Sequence, residues 1–421
     1  MSQGGPLPLA LYAGLTGLIE PLAPRLLQGR ARRGKEDPAR LGERLGRASV
    51  ARPPGPLAWL HGASVGESLS LLPLVEAFRT RRPDATVLVT SGTRTSAELL
   101  ARRLPAGAIH HYAPIDGPAA VARFLDHWRP DLAVRVESEL WPNLLLETKR
   151  RGARMALLSA KLSEDSARSW SRLPRSARAL FGAFDLVLAQ DATAAARLER
   201  LGAKVAGLAD LKFGAEALPV DPAALDALRT EIGGRPLILA ASTHPGEDEL
   251  VLGAFAEIAA PEALLVIVPR HPERGPQIAA LAEARLGAVS LRSAGQGLNA
   301  VSVHVADTLG ELGLWFRLAR LAVIGGGFVS GVGGHNPLEP ARLDCPFVSG
   351  GQVENWATAY AELIAVDGCA LIEASELGAV MSAALPGDPA LAARAGRAWA
   401  YAQARDVEAR AALGRVVELL P

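Results

Sequence analysis

LAWLHGASVGES, residues 57–68, passes from an apolar run through small residues to a carboxylate. Leu57–Leu60 predict a buried strand and His61–Ala63 a tight turn. Ser64–Leu72 then resume as a helix, because Ser64 and Glu67 have the Ser-x-x-Glu spacing of an N-terminal capping box. A strand, a turn and a helix N-terminus make a corner where free N–H groups face outward and small residues let a ligand approach. Two readings of Glu67 stand open there: a general base on a bound hydroxyl, or a capping carboxylate that satisfies its own helix. Ser64 is a candidate at the same corner.

Outward from this stretch, short apolar runs alternate with helix-like segments: Thr86–Ser91, Leu132–Val136, Met155–Ser159 and Leu186–Ala189. The runs are continuously apolar rather than alternating, which predicts a parallel sheet covered on both faces. Beyond Phe213 the rhythm pauses through GAEALPVDPAAL, read as a linker. It restarts with Leu237–Ala241, Leu264–Val268, Val301–Val305, Leu321–Ile324 and Pro346–Val348. The expectation is α/β, two Rossmann-like doubly wound halves facing a central cleft. The Ala/Arg-rich tail after Ala390 reads as helix.

A chain of 421 residues exceeds what one core supports, and 49% hydrophobic residues are enough for two. Lys and Arg number 45 against 44 Asp and Glu, a net charge of +1 that argues against nucleic acid as a partner. Two cysteines, Cys345 and Cys369, exclude a disulfide framework and do not resemble metal ligands. Met1 to Ile19 carry no charge, and Leu11, Leu15, Leu18 and Leu22 share a helical face ahead of Arg25, Arg30, Arg32, Arg33 and Lys35. Pro21 and Pro24 interrupt the run and no small-residue cleavage site follows, so a helix lying on the cytoplasmic membrane face is favoured over a span or a secretory signal. An amphipathic helix packed on the domain is the other reading.

Loops at the carboxyl ends of the strands carry the unusual residues, where open parallel sheets bind ligands. Glu137 and Glu139 follow Val136; Ser242, Thr243 and His244 follow Ala241; Pro269, Arg270 and His271 follow Val268. The glycine-rich loop from Gly325 enters its helix through His335, Asn336, Pro337, Leu338 and Glu339, a design that can receive a phosphate on N–H groups and a ribose on a carboxylate. It is neither the G-x-G-x-x-G dinucleotide signature nor a P-loop. Arg270 is read as a bidentate phosphate ligand or as one half of a surface ion pair. Lys212 alone reads as solvated surface, and one of Glu137 and Glu139 as a structural carboxylate holding an Arg or Lys. Trp141 reads as packing.

Taken together, HGASVGE, VESELWPN, SAKLSEDS, DLKF, STHPGEDE, VPRHPER and GGGFVSGVGGHNPLEP closely resemble the 3-deoxy-D-manno-octulosonic acid (Kdo) transferases of lipopolysaccharide synthesis. Nearly the whole chain is covered, in order. The resemblance implies a GT-B glycosyltransferase that moves Kdo from CMP-Kdo onto a lipid A precursor, lipid IVA, at the inner face of the cytoplasmic membrane. It implies Glu67 as the base, and Glu137 and Lys212 as the groups that stabilise the transition state. CMP is then placed against Pro269 and Arg270, Leu309, Gly310 and Glu311, and Asn336 to Glu339. Ser64, Ser242, His244 and His335 remain further candidates. Residues 1–35 become a membrane-associating segment, 36–214 an acceptor-binding domain, 215–400 a CMP-sugar-binding domain and 401–421 a C-terminal helix. No cofactor is implied, and no Asp-x-Asp pair is present to hold a metal.

The chain departs from the family pattern at Ala209-Asp210, before Lys212, and around Gly350, in SGGQVENW. Three alternatives are carried: a GT-B sugar-nucleotide 2-epimerase, a non-catalytic membrane-tethered nucleotide-binding module, and a cytosolic transferase with a soluble acceptor.

Overall fold

The computed structural model describes residues 6–138, 140–214, 217–258 and 260–421; of Lys212 the backbone alone is described. The chain divides into two compact units, Met1–Ala215 with Asp406–Pro421, and Glu216–Arg405. The first contains β1 (Leu57–Gly62), β2 (Thr86–Ser91), β3 (Ile109–Tyr112), β4 (Leu132–Val136), β5 (Arg154–Ala160), β6 (Leu186–Ala189) and β7 (Val205–Leu208). They form one seven-stranded parallel sheet in the order β3-β2-β1-β4-β5-β6-β7. The second contains β8 (Leu237–Thr243), β9 (Leu264–Pro269), β10 (Val289–Leu291), β11 (Val303–Val305), β12 (Leu321–Ile324), β13 (Phe347–Ser349) and β14 (Ala370–Leu371). Their order is β10-β11-β9-β8-β12-β13-β14, again all parallel. The chain reverses its direction of travel across each sheet at one place, between β1 and β4 and between β8 and β12. Those are the topological switch points.

Both faces of each sheet are covered, which is why the central strands are continuously apolar. On β1, Leu57 and Trp59 enter one core while Ala58 and Leu60 enter the other. β8 divides likewise, with Leu237, Leu239 and Ala241 on one side and Ile238 and Ala240 on the other. Arg135 interrupts the apolar run of β4, and its guanidinium lies over the Trp59 ring at 4.4 Å. His61 does not turn the chain as expected: β1 continues through Gly62, and His61 is buried with Nδ1 2.8 Å from the Thr90 hydroxyl. The linker is shorter than read, because a helix, Pro222–Ile232, starts inside it with Asp221 capping the Ala223 N–H.

The C-terminal helix begins at Pro389 and runs to Val417. Its last turns carry Ala412, Leu413, Val416 and Val417 into the first unit's core. At the other terminus, Leu7–Ile19 continues through a 3-10 turn, Glu20–Leu22, into Ala23–Arg32, so Pro21 and Pro24 fall in first turns rather than ending the helix. Polar groups seat it. Thr16 accepts from Asn143 Nδ2 at 2.9 Å, and the Glu20 carboxylate caps Ala119 and Ala120 N–H at 2.9 and 2.7 Å. Leu7, Leu11, Leu15, Leu18, Leu22 and Leu26 are left exposed, between 52% and 77%.

Candidate active site

In the first unit, the helix Val65–Ser70 leaves the end of β1 under a Ser64 cap, whose hydroxyl accepts from the Glu67 N–H. The Glu67 carboxylate turns back over the same corner. Oε2 accepts from Ala63 N–H at 3.0 Å and Oε1 from the Ser64 hydroxyl at 2.9 Å, and the residue is only 8% exposed. The capping geometry is therefore present, and it also fixes a carboxylate at the switch point. Gly62 makes the corner possible, since a Cβ there would lie 2.9 Å from the Glu67 carbonyl carbon and 3.0 Å from Ser68 N. Gly62→Ala must push this helix away. We expect at least a roughly tenfold fall in turnover with a stability loss of only about 1–3 kcal/mol, read from kcat and from urea unfolding of the same preparation.

Glu137 stands at the end of β4, the strand beside β1, with φ +59°. A left-handed backbone on a side-chain-bearing residue persists only where the surroundings enforce it. Its N–H donates to Leu158 O at 3.0 Å, and its carboxylate pairs closely with Lys161 at the end of β5. Ser159, also left-handed at φ +47°, accepts from Leu211 N–H at 2.8 Å and so ties the Leu211–Gly214 turn, with the Lys212 backbone, to this edge. The Lys212 side chain and all of Glu139 lie outside the described residues. Trp141, at the N-cap of the helix Pro142–Arg150, is 46% exposed.

The second unit builds its corner around Glu247, a residue to which the sequence reading gave no role. Its carboxylate is buried and accepts three backbone N–H groups: His244 at 3.0 Å, Gly326 at 2.7 Å and Phe328 at 3.0 Å. The β8 loop and the glycine loop after β12 are thereby locked together at the second switch point. Beside it, Asp248 accepts from the Thr243 hydroxyl at 2.6 Å and pairs with Arg274. Ser242 adopts φ +59° at an irregularity in the β8–β9 register. Pro269 ends β9 and Arg270 is exposed just beyond it, with no ion pair among the described residues.

His244 and His335 meet across the two loops, Nε2 to Nε2 at 2.9 Å, with rings stacked at 5.1 Å. One ring must donate and the other accept, so the pair shares a proton. Burial holds His335 down to about 4, helped by His244 and Arg270. Gly326, at φ +74°, has no room for a Cβ beside the His335 ring. Asn336 Oδ1 accepts from Leu338 N–H at 3.0 Å, opening the short helix Leu338–Ala341, and burial raises the Glu339 carboxyl. Gly310 is left-handed at φ +87°, Leu309 is 80% exposed, and Glu311 is held by Arg292 at 2.7 and 3.1 Å. Among the described residues no group of three or more His, Cys, Asp or Glu is placed to hold a metal.

The histidines set an acid limit on the fold. Burial depresses His110, His304 and His335 to about 4, and His61 well below its ordinary value. Below about 6.5 the unfolded chain binds protons at these rings and the folded chain does not. Their contribution is thus complete above 6.5 and is lost as pH falls towards 4. Asp116 and Glu339, raised by burial, offset part of this. The thermal midpoint should fall steadily from pH 7 to pH 4.5; a flat profile would contradict the burial of these rings.

A family model described as 3-deoxy-D-manno-octulosonic-acid transferase (kdotransferase) matches residues 39–215. A probable mitochondrial 3-deoxy-D-manno-octulosonic acid transferase of Arabidopsis thaliana is 34% identical over 360 residues, 82% of this chain and 80% of that protein. The chain belongs to the Kdo transferase family. The 3-deoxy-D-manno-octulosonic acid transferase of Bordetella pertussis is also 34% identical, across 86% of this chain and 88% of its own. As a Kdo transferase the chain is a glycosyltransferase, and its two parallel-sheet units are of the GT-B kind. The UDP-GlcNAc 2-epimerase from Neisseria meningitidis, solved bound to UDP-GlcNAc, matches with a TM-score of 0.55 at 12% identity, over 84% of this chain and 99% of that one. At that identity the likeness is one of fold.

Proposed function

We propose that this protein transfers Kdo from CMP-Kdo to a hydroxyl of a lipid A precursor, lipid IVA, with inversion at the anomeric carbon and Glu67 as the base. The observation that carries the reading is the Glu67 carboxylate, fixed at a switch point by its own corner, in a chain of this family. The acceptor hydroxyl forms the new bond to the anomeric carbon as its proton passes to Glu67. The bond from that carbon to the CMP phosphate breaks, and CMP leaves with the electron pair. Glu137 and Lys212 act on the developing charge. The second unit holds the nucleotide, with Arg270 and glycine-loop N–H groups on the phosphate and Asn336 to Glu339 on the nucleoside. Leu309 offers an exposed apolar surface to the base.

CMP carries one phosphate, which these cationic and N–H groups can neutralise without a metal. Activity should therefore persist in EDTA; loss restored by magnesium would overturn that point. The N-terminal helix serves as a peripheral or inserted anchor on the cytoplasmic side of the inner membrane. Its support is the exposed leucine face beside Arg25, Arg30, Arg32, Arg33 and Lys35. The deciding experiment incubates the purified protein with CMP-Kdo and tetra-acylated lipid A precursor and counts added sugars by mass. Donor hydrolysis without transfer would reject the assignment.

A further inference from the structure

His244 and His335, joined Nε2 to Nε2 at 2.9 Å, keep hydrogen-bonding capacity that the nucleotide contacts above do not use. Two neutral imidazoles carry two protons on four nitrogens. One proton lies in the shared bond. The ring that accepts there bears the other proton on Nδ1, and the ring that donates keeps a lone pair on its own Nδ1. The pair therefore presents one outward donor and one outward acceptor. Among the described residues neither Nδ1 has a hydrogen-bond partner, and neither is sealed from solvent. Both rings are half-buried.

The backbone behind the pair is fixed from several sides. Glu247 accepts from the His244 N–H at 3.0 Å and the Gly326 N–H at 2.7 Å. Gly334 N–H donates to Gly326 O at 2.9 Å, and the buried Tyr360 hydroxyl donates to His335 O at 3.2 Å. The titratable and charged groups that face the pair are Glu247, Arg270, His271 and Arg274. Glu247 already accepts three N–H groups, Arg274 is paired with Asp248, and the exposed His271 ring lies 3.8 Å from Glu273. Arg270 is thus the one of these cations without an ion pair among the described residues. Burial holds both rings of the pair below their ordinary value, His335 at about 4, so the pair is uncharged at neutral pH.

A CMP-linked sugar acid such as CMP-Kdo brings two anions on one carbon, the phosphate ester and the carboxylate. Arg270 serves the phosphate, which leaves the carboxylate to neutral donors. A neutral donor also suits the reaction. As the bond to the CMP phosphate lengthens, the anomeric carbon becomes electron-poor, and the carboxylate beside it stabilises it best when an ion pair does not cancel its charge. We propose that the His244–His335 pair binds the donor's carboxylate through its outward Nδ1–H, and so distinguishes CMP-Kdo from CMP. The proposal rests on the donor reading above, and its test separates the two.

The full-length protein, without acceptor, is titrated calorimetrically with CMP and with CMP-Kdo. A glutamine amide falls near Nε2 of the histidine it replaces, and an asparagine amide near Nδ1. His244→Gln/His335→Gln therefore keeps a bond between the loops and loses both outward positions; His244→Asn/His335→Asn does the reverse. The parent should bind CMP-Kdo at least about tenfold more tightly than CMP. The Gln double variant should lose roughly tenfold of that preference or more, with CMP affinity within about threefold of the parent, while the Asn double variant keeps the larger share of it.

A parent without the preference, or a Gln double variant that retains it, would overturn the proposal. So would an equal loss of both ligands in the Gln double variant, which would make the histidines a tie between loops or a phosphate contact. A parent that binds neither ligand would reject the donor reading itself, and the proposal with it. Should a double variant fail to fold, the two single Gln variants repeat the comparison. One of them should lose the preference and so reveal which ring carries the outward proton; loss in neither overturns the proposal.

Discussion

Glu67→Gln is expected to lower the rate of Kdo transfer by ~10² to 10⁴ while CMP binding stays close to that of the parent. A positioned base contributes through the proton it removes as the acceptor oxygen attacks, and an amide cannot take that proton. The carboxylate is, however, also part of its own corner, accepting from Ala63 N–H at 3.0 Å and the Ser64 hydroxyl at 2.9 Å. A fall in turnover alone therefore does not separate the base from the cap. Ser64→Ala does. It removes the hydroxyl that both caps Glu67 N–H and touches the carboxylate, at a cost of about 0.5–2 kcal/mol, but leaves the carboxylate in place. If Glu67 is the base, Glu67→Gln falls far below Ser64→Ala in kcat. If the two variants lose activity equally, the glutamate holds the turn and another group takes the proton.

The central strands of both sheets were legible because burial on two faces writes a continuous apolar run. The strands that escaped were β3, β7, β10 and β14, the outermost in each sheet. An edge strand has one neighbour and less cover, so its sequence carries less apolar signal; β7, VAGL, alternates half-buried and exposed residues, and β14 has only two, both half-buried. The corners were legible in kind, since Ser64 and Glu67 sit at cap spacing, but not in partnership. Glu137 with Lys161, and His244 with His335, are joined only by folding, across 24 and 91 positions. His61 misled for the opposite reason: a histidine followed by Gly-Ala after an apolar run reads as the start of a turn, yet the strand continues and its Nδ1 is absorbed by Thr90 within the sheet.

Glu247 shows what such long-range pairing does for the second unit, and its replacement by alanine should be the most damaging single change there. Three N–H groups converge on one buried carboxylate, one from the β8 loop and two from the glycine loop. Each hydrogen bond to a charged acceptor is worth about 1.5–3 kcal/mol, and donors left buried without partners cost a similar amount. Water entering the vacated space recovers part of this, so a loss of roughly 3–5 kcal/mol is expected in denaturant unfolding. The functional loss should be larger than the fold's: once Gly326 and Phe328 are released, nothing from Glu247 fixes the course of the glycine loop, and CMP affinity should fall more than tenfold even in the fraction that remains folded. Gly326→Ala separates these effects. Its Cβ would press within 3.0 Å of the His335 ring on a φ of +74°, distorting the loop without removing the carboxylate. Impaired CMP binding in both variants, measured at a temperature where each is folded, would tie the nucleotide to this loop. Unchanged affinity in folded Glu247→Ala protein would place the donor elsewhere on the second unit.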